Sequence, residues 1–263
     1  MPRTQRRSQA GFTLVEIAIV LVIIGLILGG VLKGQELVTS ARVRNIADQQ
    51  NAIKAAFFAF QDRYKALPGD YAEASINIPN LKNAGKTTTI AAACPDGYAD
   101  GDGDGFINYS SGAGACATEP QESVWAFLHL SAAGFIACSA CVTNGDSTTA
   151  LPTQNNSPTN AYGGPLQLAY DNCFGAGLTG CTSGTANLAN NLKTGASIPS
   201  NILAEVDGKL DDGNPNTGSF QFSPWYANPG TAPDPAKCLM GTAPNVVWNR
   251  QSPSTNCGAA YTF

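Results

Sequence analysis

The sequence predicts an α+β protein: a long N-terminal α-helix, its first half a membrane span and its second half amphipathic, packed on a small antiparallel β-sheet head with extended disulfide-bonded loops. Three observations lead there. The 21 residues Phe12–Leu32 are apolar or glycine except for Thr13 and Glu16. Ile46, Ile53, Phe57, Phe60, Tyr64 and Leu67 then recur at helical spacing, with Arg42, Arg44, Asp48, Gln49, Gln50, Lys54 and Asp62 between them. Beyond Pro68-Gly69-Asp70 the chain turns to short apolar segments among Gly-, Asn-, Asp- and Pro-rich stretches, and all eight cysteines lie in that part.

The apolar run matches the ~20 residues with which a helix crosses a bilayer core. Arg3, Arg6 and Arg7 precede it, and Lys33 ends it. The arginines orient the span with its basic end in the cytoplasm. A secretory signal would carry a shorter apolar core followed by a small-residue cleavage site. Here the small residue, Gly11, stands before the run. Glu16 is the anomaly: a carboxylate within a span costs roughly 2.5–3.5 kcal/mol and calls for a partner.

Gly11-Phe12-Thr13-Leu14-Val15-Glu16 resembles the class III signal of type IV pilins and of the pseudopilins of type II secretion. Gly25 matches a glycine common in that family's helix. The resemblance implies that a prepilin peptidase cuts between Gly11 and Phe12 and methylates the new amino terminus. It implies that Glu16 is neutralised by the ammonium of Phe12 on a neighbouring subunit, since a paired buried charge is far less costly than a lone one. It divides the chain into a leader, 1–11; a transmembrane and polymerisation helix, 12–33; the amphipathic half of that helix, 34–67; and a pilin-like head, 68–263. The expected partners are identical or related pilin subunits, the peptidase, the inner-membrane assembly platform and, before assembly, the membrane. The expected location is the inner membrane, then a filament in the periplasm or at the cell surface. Where the family often carries a proline in the apolar helix this chain has Lys33, with Gly29, Gly30 and Gly34 around it. Glycine costs a helix about 1 kcal/mol relative to alanine, so residues 29–34 are the expected point of stretching in a filament.

The charge excludes some functions. The chain carries a net −4, and removing the leader takes away three of its 15 basic residues and no acid, leaving −7. Phosphate binding needs Lys and Arg, so nucleic acid is not an expected partner. Charged residues make up only 13% of the chain, which suits a loop-rich β domain outside the cell. No nucleophile elbow, Ser–His–Asp order or paired catalytic carboxylates stand out, and a structural rather than enzymatic role is expected.

The cysteines are Cys94, Cys116, Cys138, Cys141, Cys173, Cys181, Cys238 and Cys257. Export places them in an oxidising compartment, where disulfides form. Eight cysteines allow about a hundred connectivities, among which sequence does not choose. Sequential pairing is the expectation adopted: 94–116, 138–141, 173–181 and 238–257, the last resembling the late disulfide of many pilins. Only Cys138 and Cys141 have metal-like spacing, with no second such pair, so zinc is disfavoured. A redox CxxC lacks a thioredoxin-like βαβ context.

Residues 70–118 read as a loop region containing Asp100-Gly101-Asp102-Gly103-Asp104-Gly105-Phe106-Ile107-Asn108. Alternate carboxylates, a glycine and then an apolar residue resemble the first half of an EF-hand calcium loop. Asp100, Asp102, Asp104 and the carbonyl of Phe106 are the expected ligands for a structural Ca2+. The bidentate acid of position twelve is missing, since Ser111 stands there, and Glu119 or Glu122 from the next helix is expected to supply it. The alternative is an acidic surface turn without an ion.

Glu119–Ala133 reads as a second helix, with Trp125, Leu128, Ala132 and Phe135 on one side and Gly134 as its stop. Residues 122–136 resemble a stretch of some pilin-like heads. His129, the one histidine, is expected to be structural. Residues 137–163 read as an exposed excursion, Pro165–Tyr170 as a strand and Gly175–Asn191 as a small-residue loop. A helix is expected from Pro199 with Ser200 as N-cap and Ile202, Leu203, Val206 and Leu210 inward. Residues 209–218 form a turn that also resembles pilin-like heads, with Asp211 and Asp212 as turn formers rather than cation ligands. Ser219–Phe222 and Asn245–Asn249 are further strands. The functional reading is a type IV pilin, major or minor. The alternatives are a type II secretion pseudopilin and, further off, a minor pilin for surface adhesion or DNA uptake.

Overall fold

The computed structural model describes residues 14–79, 81, 100–108, 122–143, 152–176, 178, 181, 187–227, 230–242 and 245–263, without the side chains of residues 142 and 143. The chain divides into two compact units, Met1–Arg42 and Val43–Phe263.

Helix α1, Leu14–Tyr64, is the spine of the sequence. Through Leu32 its residues are apolar or glycine apart from Glu16, and Leu14, Leu21, Val22, Leu26 and Leu32 are each well over half exposed. The helix continues through Gly29, Gly30 and Gly34, where an added methyl group would meet nothing within 4 Å. Its end falls at Tyr64, earlier than the expected Leu67. Lys65 takes a left-handed conformation, φ 54°, and Pro68 follows too closely for the helix to resume.

In the second unit the amphipathic half of α1 feeds two apolar clusters. Ile53, Ala56, Phe57 and Phe60 join Trp125, Phe127, Leu128, Leu130, Leu166, Leu168 and Leu192. Val43, Ile46 and Ala47 join Ile202, Leu203, Val206, Phe220, Phe222 and Trp248. The expected stripe is therefore the buried face, with Tyr64 and Leu67 packed at its margin. Each large apolar side chain so buried contributes about 1.5–3 kcal/mol.

Among the described residues the head has two antiparallel sheets. Strands β1 (Gln167–Asp171), β2 (Ala189–Lys193), β3 (Phe220–Phe222) and β6 (Ala259–Thr262) form the larger one in the order β1-β2-β6-β3. Its register is fixed by Leu168 opposite Leu192, Leu192 opposite Tyr261 and Tyr261 opposite Phe220. Strands β4 (Leu239–Met240) and β5 (Val247–Trp248) pair separately. The other helices are α2 (Ala74–Asn77), α3 (Glu122–Ala132), α4 (Ser139–Thr143), α5 (Ser200–Leu210) and α6 (Pro235–Cys238).

Several expectations are corrected. The stretch 137–163 is not wholly an exposed excursion: residues 139–143 are helical, and Asn156, Ser157 and Asn160 are buried. Asn160 holds this segment by donating from Nδ2 to the carbonyl of Thr194 and accepting at Oδ1 from the amide of Tyr162. The end of the small-residue stretch 175–191 is strand β2. Ser200 does not cap α5. Pro199 is the N-cap residue, and Ser200 Oγ donates to the carbonyl of Asn249, 2.6 Å away. Helix α2, which falls in the stretch 70–118 expected to be loop, has no counterpart among the elements the sequence predicts, nor have strands β4 and β6 and helix α6.

Disulfides join Cys138 to Cys141, Cys173 to Cys181 and Cys238 to Cys257, as sequential pairing predicts. Cys94 and Cys116 lie outside the described residues. One buried ion pair stiffens the sheet. Lys193 Nζ, fully buried on β2, lies 2.6 Å from Asp171 Oδ2 on β1. Burial works against the charge of Asp171, but the Lys193 ammonium outweighs it and holds the carboxyl below its ordinary range. Asn191 Nδ2 and the amide of Cys173 donate to the same carboxylate's Oδ1.

Candidate functional site

The residues singled out from the sequence fall in two regions. The first is the start of α1. Gly11 and Phe12 lie outside the described residues. Glu16 stands in the first turn of α1 and is exposed in the single chain, among Leu14, Val15 and Ile17, which are exposed as well. An acid in a helix's first turn is favoured by the helix dipole. The segment of α1 long and apolar enough to cross a membrane has none of its residues buried in the chain itself. Such a surface is covered in the cell either by lipid or by other apolar helices.

The second region lies where α1 ends. Asp70, Asp102, Asp104 and Glu122 each bring one carboxylate oxygen into a group lying within 4.8 Å of one another. Pro68-Gly69-Asp70 turns the chain beneath α3. The Gly69 amide donates to His129 Nδ1 at 2.9 Å, so His129 is the structural residue expected. The main chain of Asp70 and Tyr71 then receives the acidic loop: Gly103 N donates to the Asp70 carbonyl and Gly101 N to that of Tyr71. Glu122, fully buried at the first position of α3, accepts from Asp102 N at 3.2 Å and Asn108 N at 2.8 Å. Asp104 Oδ1 accepts from Phe106 N, and Asp102 Oδ1 from Asp104 N. The loop's far end is pinned to β1 by Tyr170 N donating to the Ile107 carbonyl and by the Phe106 ring, 4.7 Å from that of Tyr170.

Of the expected carboxylate ligands the structure gathers Asp102, Asp104 and Glu122 but not Asp100. Both Asp100 oxygens are engaged by Ser75: the amide donates to Oδ1 at 2.6 Å and the hydroxyl to Oδ2 at 2.7 Å. Asp100 therefore secures the loop to α2. Asp70 takes its place in the group. Sequence reasoning missed it because it lies thirty residues before the loop, and its one signal was a Pro-Gly-Asp turn that also ends a helix. Burial pushes the Asp70 carboxyl up to about 6, and the nearby Asp104 and Asp102 add to this. Burial likewise pushes Glu122 up to about 8, helped by Asp70 and Asp102.

A second acidic group, Asp207, Asp211 and Asp212, is a turn clamp. Asp211 Oδ2 accepts from Ser219 N and Phe220 N. Asp212 accepts from Asn214 N and Thr217 Oγ1. Asp207, buried in α5, accepts from Trp248 Nε1 at 2.7 Å and Gly213 N at 3.2 Å. Asp211 and Asp212 thus form the turn, as predicted.

Among known proteins, residues 6–32 match the prokaryotic N-terminal methylation motif. That motif is the signal of type IV pilins and pseudopilins, so this chain carries the signal of a pilin-like or pseudopilin subunit. The match ends within the apolar part of α1, upstream of the head. No curated protein and no solved structure matches the chain.

Proposed function

We propose that the chain is a structural subunit of a type IV pilus, cut after Gly11, N-methylated at Phe12 and polymerised through the first half of α1. The observation that carries the reading is Glu16 in the first turn of an apolar helix whose surface the chain itself leaves uncovered. The methylation motif over the same residues supports it. In the membrane the helix surface is covered by lipid, and Glu16 bears the cost of its position. In a filament, neighbouring helices cover that surface and the terminal ammonium of an adjacent Phe12 meets the carboxylate. Assembly is thereby favoured over the lone inserted state without catalysis by the subunit itself. A head with three disulfides among its described residues suits a surface filament, which meets an oxidising exterior.

The test is Glu16→Ala in the organism. The expected result is normal cleavage before Phe12, read by mass spectrometry of the mature chain, with sheared filaments reduced at least tenfold, the size of a ~1.4 kcal/mol loss per contact. Wild-type filament yield from the variant would overturn the pairing. Loss of type II secretion without loss of pili, on deleting the gene, would instead assign the chain to the pseudopilus.

A further inference from the structure

The geometry points to a calcium site formed by Asp70, Asp102, Asp104 and Glu122, which ties the turn after α1 to the loop 100–108 and to the start of α3. Two independent observations carry it. The first is the convergence itself: four carboxylates from three separate segments, with one oxygen of each within 4.8 Å of the others. The second is a buried polar atom left over. Asp70 is 4% exposed, and its Oδ1 is buried without a hydrogen-bond partner among the described residues. Its other oxygen, Oδ2, accepts from Gly105 N at 3.1 Å. An unmet carboxylate oxygen in such a place loses its hydration with no return, unless a cation supplies it.

The donor set selects the ion. All four groups are carboxylates, and no thiolate or imidazole belongs to the group. Hard oxygen donors favour calcium or magnesium over zinc and copper. Calcium accepts about 6–8 oxygens in irregular arrangements, whereas magnesium demands a near-ideal octahedron. Ligands drawn from a helix end, a loop and a helix start suit the less exacting ion. The backbone amides on Glu122 and Asp104 hold those carboxylates in place while leaving each oxygen a further lone pair for a metal. The chemistry thus resembles the EF-hand loop in its alternating acids but departs from it in two ligands. Asp70 replaces the loop's first acid, Asp100, and the acid from outside the loop comes from the first residue of α3.

The test uses the full chain, purified in detergent and freed of divalent ions. It is titrated calorimetrically with CaCl2 and, separately, with MgCl2, and its thermal unfolding is followed with and without each salt. The expected result is about one Ca2+ per chain, held at least about tenfold more tightly than Mg2+, with a higher Tm in calcium. In the double variant Asp102→Asn/Asp104→Asn, whose side chains are exposed, calcium binding and the Tm response are lost. Its cation-free Tm equals or exceeds that of wild type, because two like charges have gone. Asp212→Asn, in the other acidic group, keeps wild-type binding. Failure of the wild type to take up calcium overturns the site, as does magnesium binding of equal strength, or a double variant that binds as wild type does. None of these outcomes bears on the assembly role of Glu16.

Discussion

Gly69 and Gly101 sit where a methyl group would strike main chain, the first against the Glu122 carbonyl and the second against the backbone of Asp70. Gly69 also needs its left-handed φ of 97°. These two close approaches let the Asp70 turn, the acidic loop and α3 meet. Gly101→Ala is expected to destabilise the head by roughly 1–3 kcal/mol, as overpacking does. Gly208→Ala in α5, where a methyl group meets nothing, is expected to stabilise it by about 0.4–1 kcal/mol. Urea unfolding of the two variants side by side checks the contrast. The Lys193–Asp171 pair offers a second test at this scale. Lys193→Met leaves a buried carboxylate without its counter-charge, and a loss of about 3–5 kcal/mol is expected in the same assay.

Among the elements, α1 has its stability on one side. Phe60 is fully buried and Phe58 is 46% exposed, so Phe60→Ala is expected to cost about 3–5 kcal/mol by denaturant unfolding and Phe58→Ala clearly less. Helix α5 carries one part of the pH response. Burial lifts Asp207 from 3.8 to about 6 in the folded chain. As pH rises between those values the unfolded chain gives up a proton that the folded chain still holds. The Asp207 contribution to stability therefore falls across that window and levels off above it. Asp207→Asn mimics the protonated group, and its unfolding free energy is expected to lose this component of the fall when compared with wild type from pH 4 to 7. What the chain revealed in advance follows from the same physics. Helix α1 was legible because Ile46, Ile53, Phe57 and Phe60 repeat with the helical period over many turns. Strands β2, Ala-Asn-Asn-Leu-Lys, and β6, Ala-Ala-Tyr-Thr, were not, because neither alternates and each is strand only by virtue of its neighbours. Asp102 and Asp104 were legible from spacing within one loop, and Glu122 as one of two acids, with Glu119, at the start of the next helix. Asp70 was not, since only folding brings the end of α1 beside them.

For the molecule as a whole, the described covalent ties act within short distances of chain. Cys238–Cys257 closes the longest of them, a sequence separation of 19 linking the end of α6 to the approach to β6. Opening a loop of that size costs about 3 kcal/mol of constraint on the unfolded chain. Cys238→Ser/Cys257→Ser is therefore expected to lower Tm markedly and to hasten proteolysis of the head, while leaving cleavage at Gly11 unaffected. Gly29, Gly30 and Gly34 make a separate prediction for the assembled state. A filament density map is expected to show α1 lengthened or unwound between residues 29 and 34, and a regular helix there would refute the stretching point.

Strand β6, residues 259–262, lies between β2 and β3 and hydrogen-bonds to both. The larger sheet therefore lacks its middle until that segment is in place. A polypeptide stalled or clipped upstream of residue 259 presents two orphan edges, each able to recruit a stray strand. Chain order thus sets the sequence of events: the N-terminal apolar helix is complete long before the head can close. During that interval the half-made sheet is the species most open to wrong pairing.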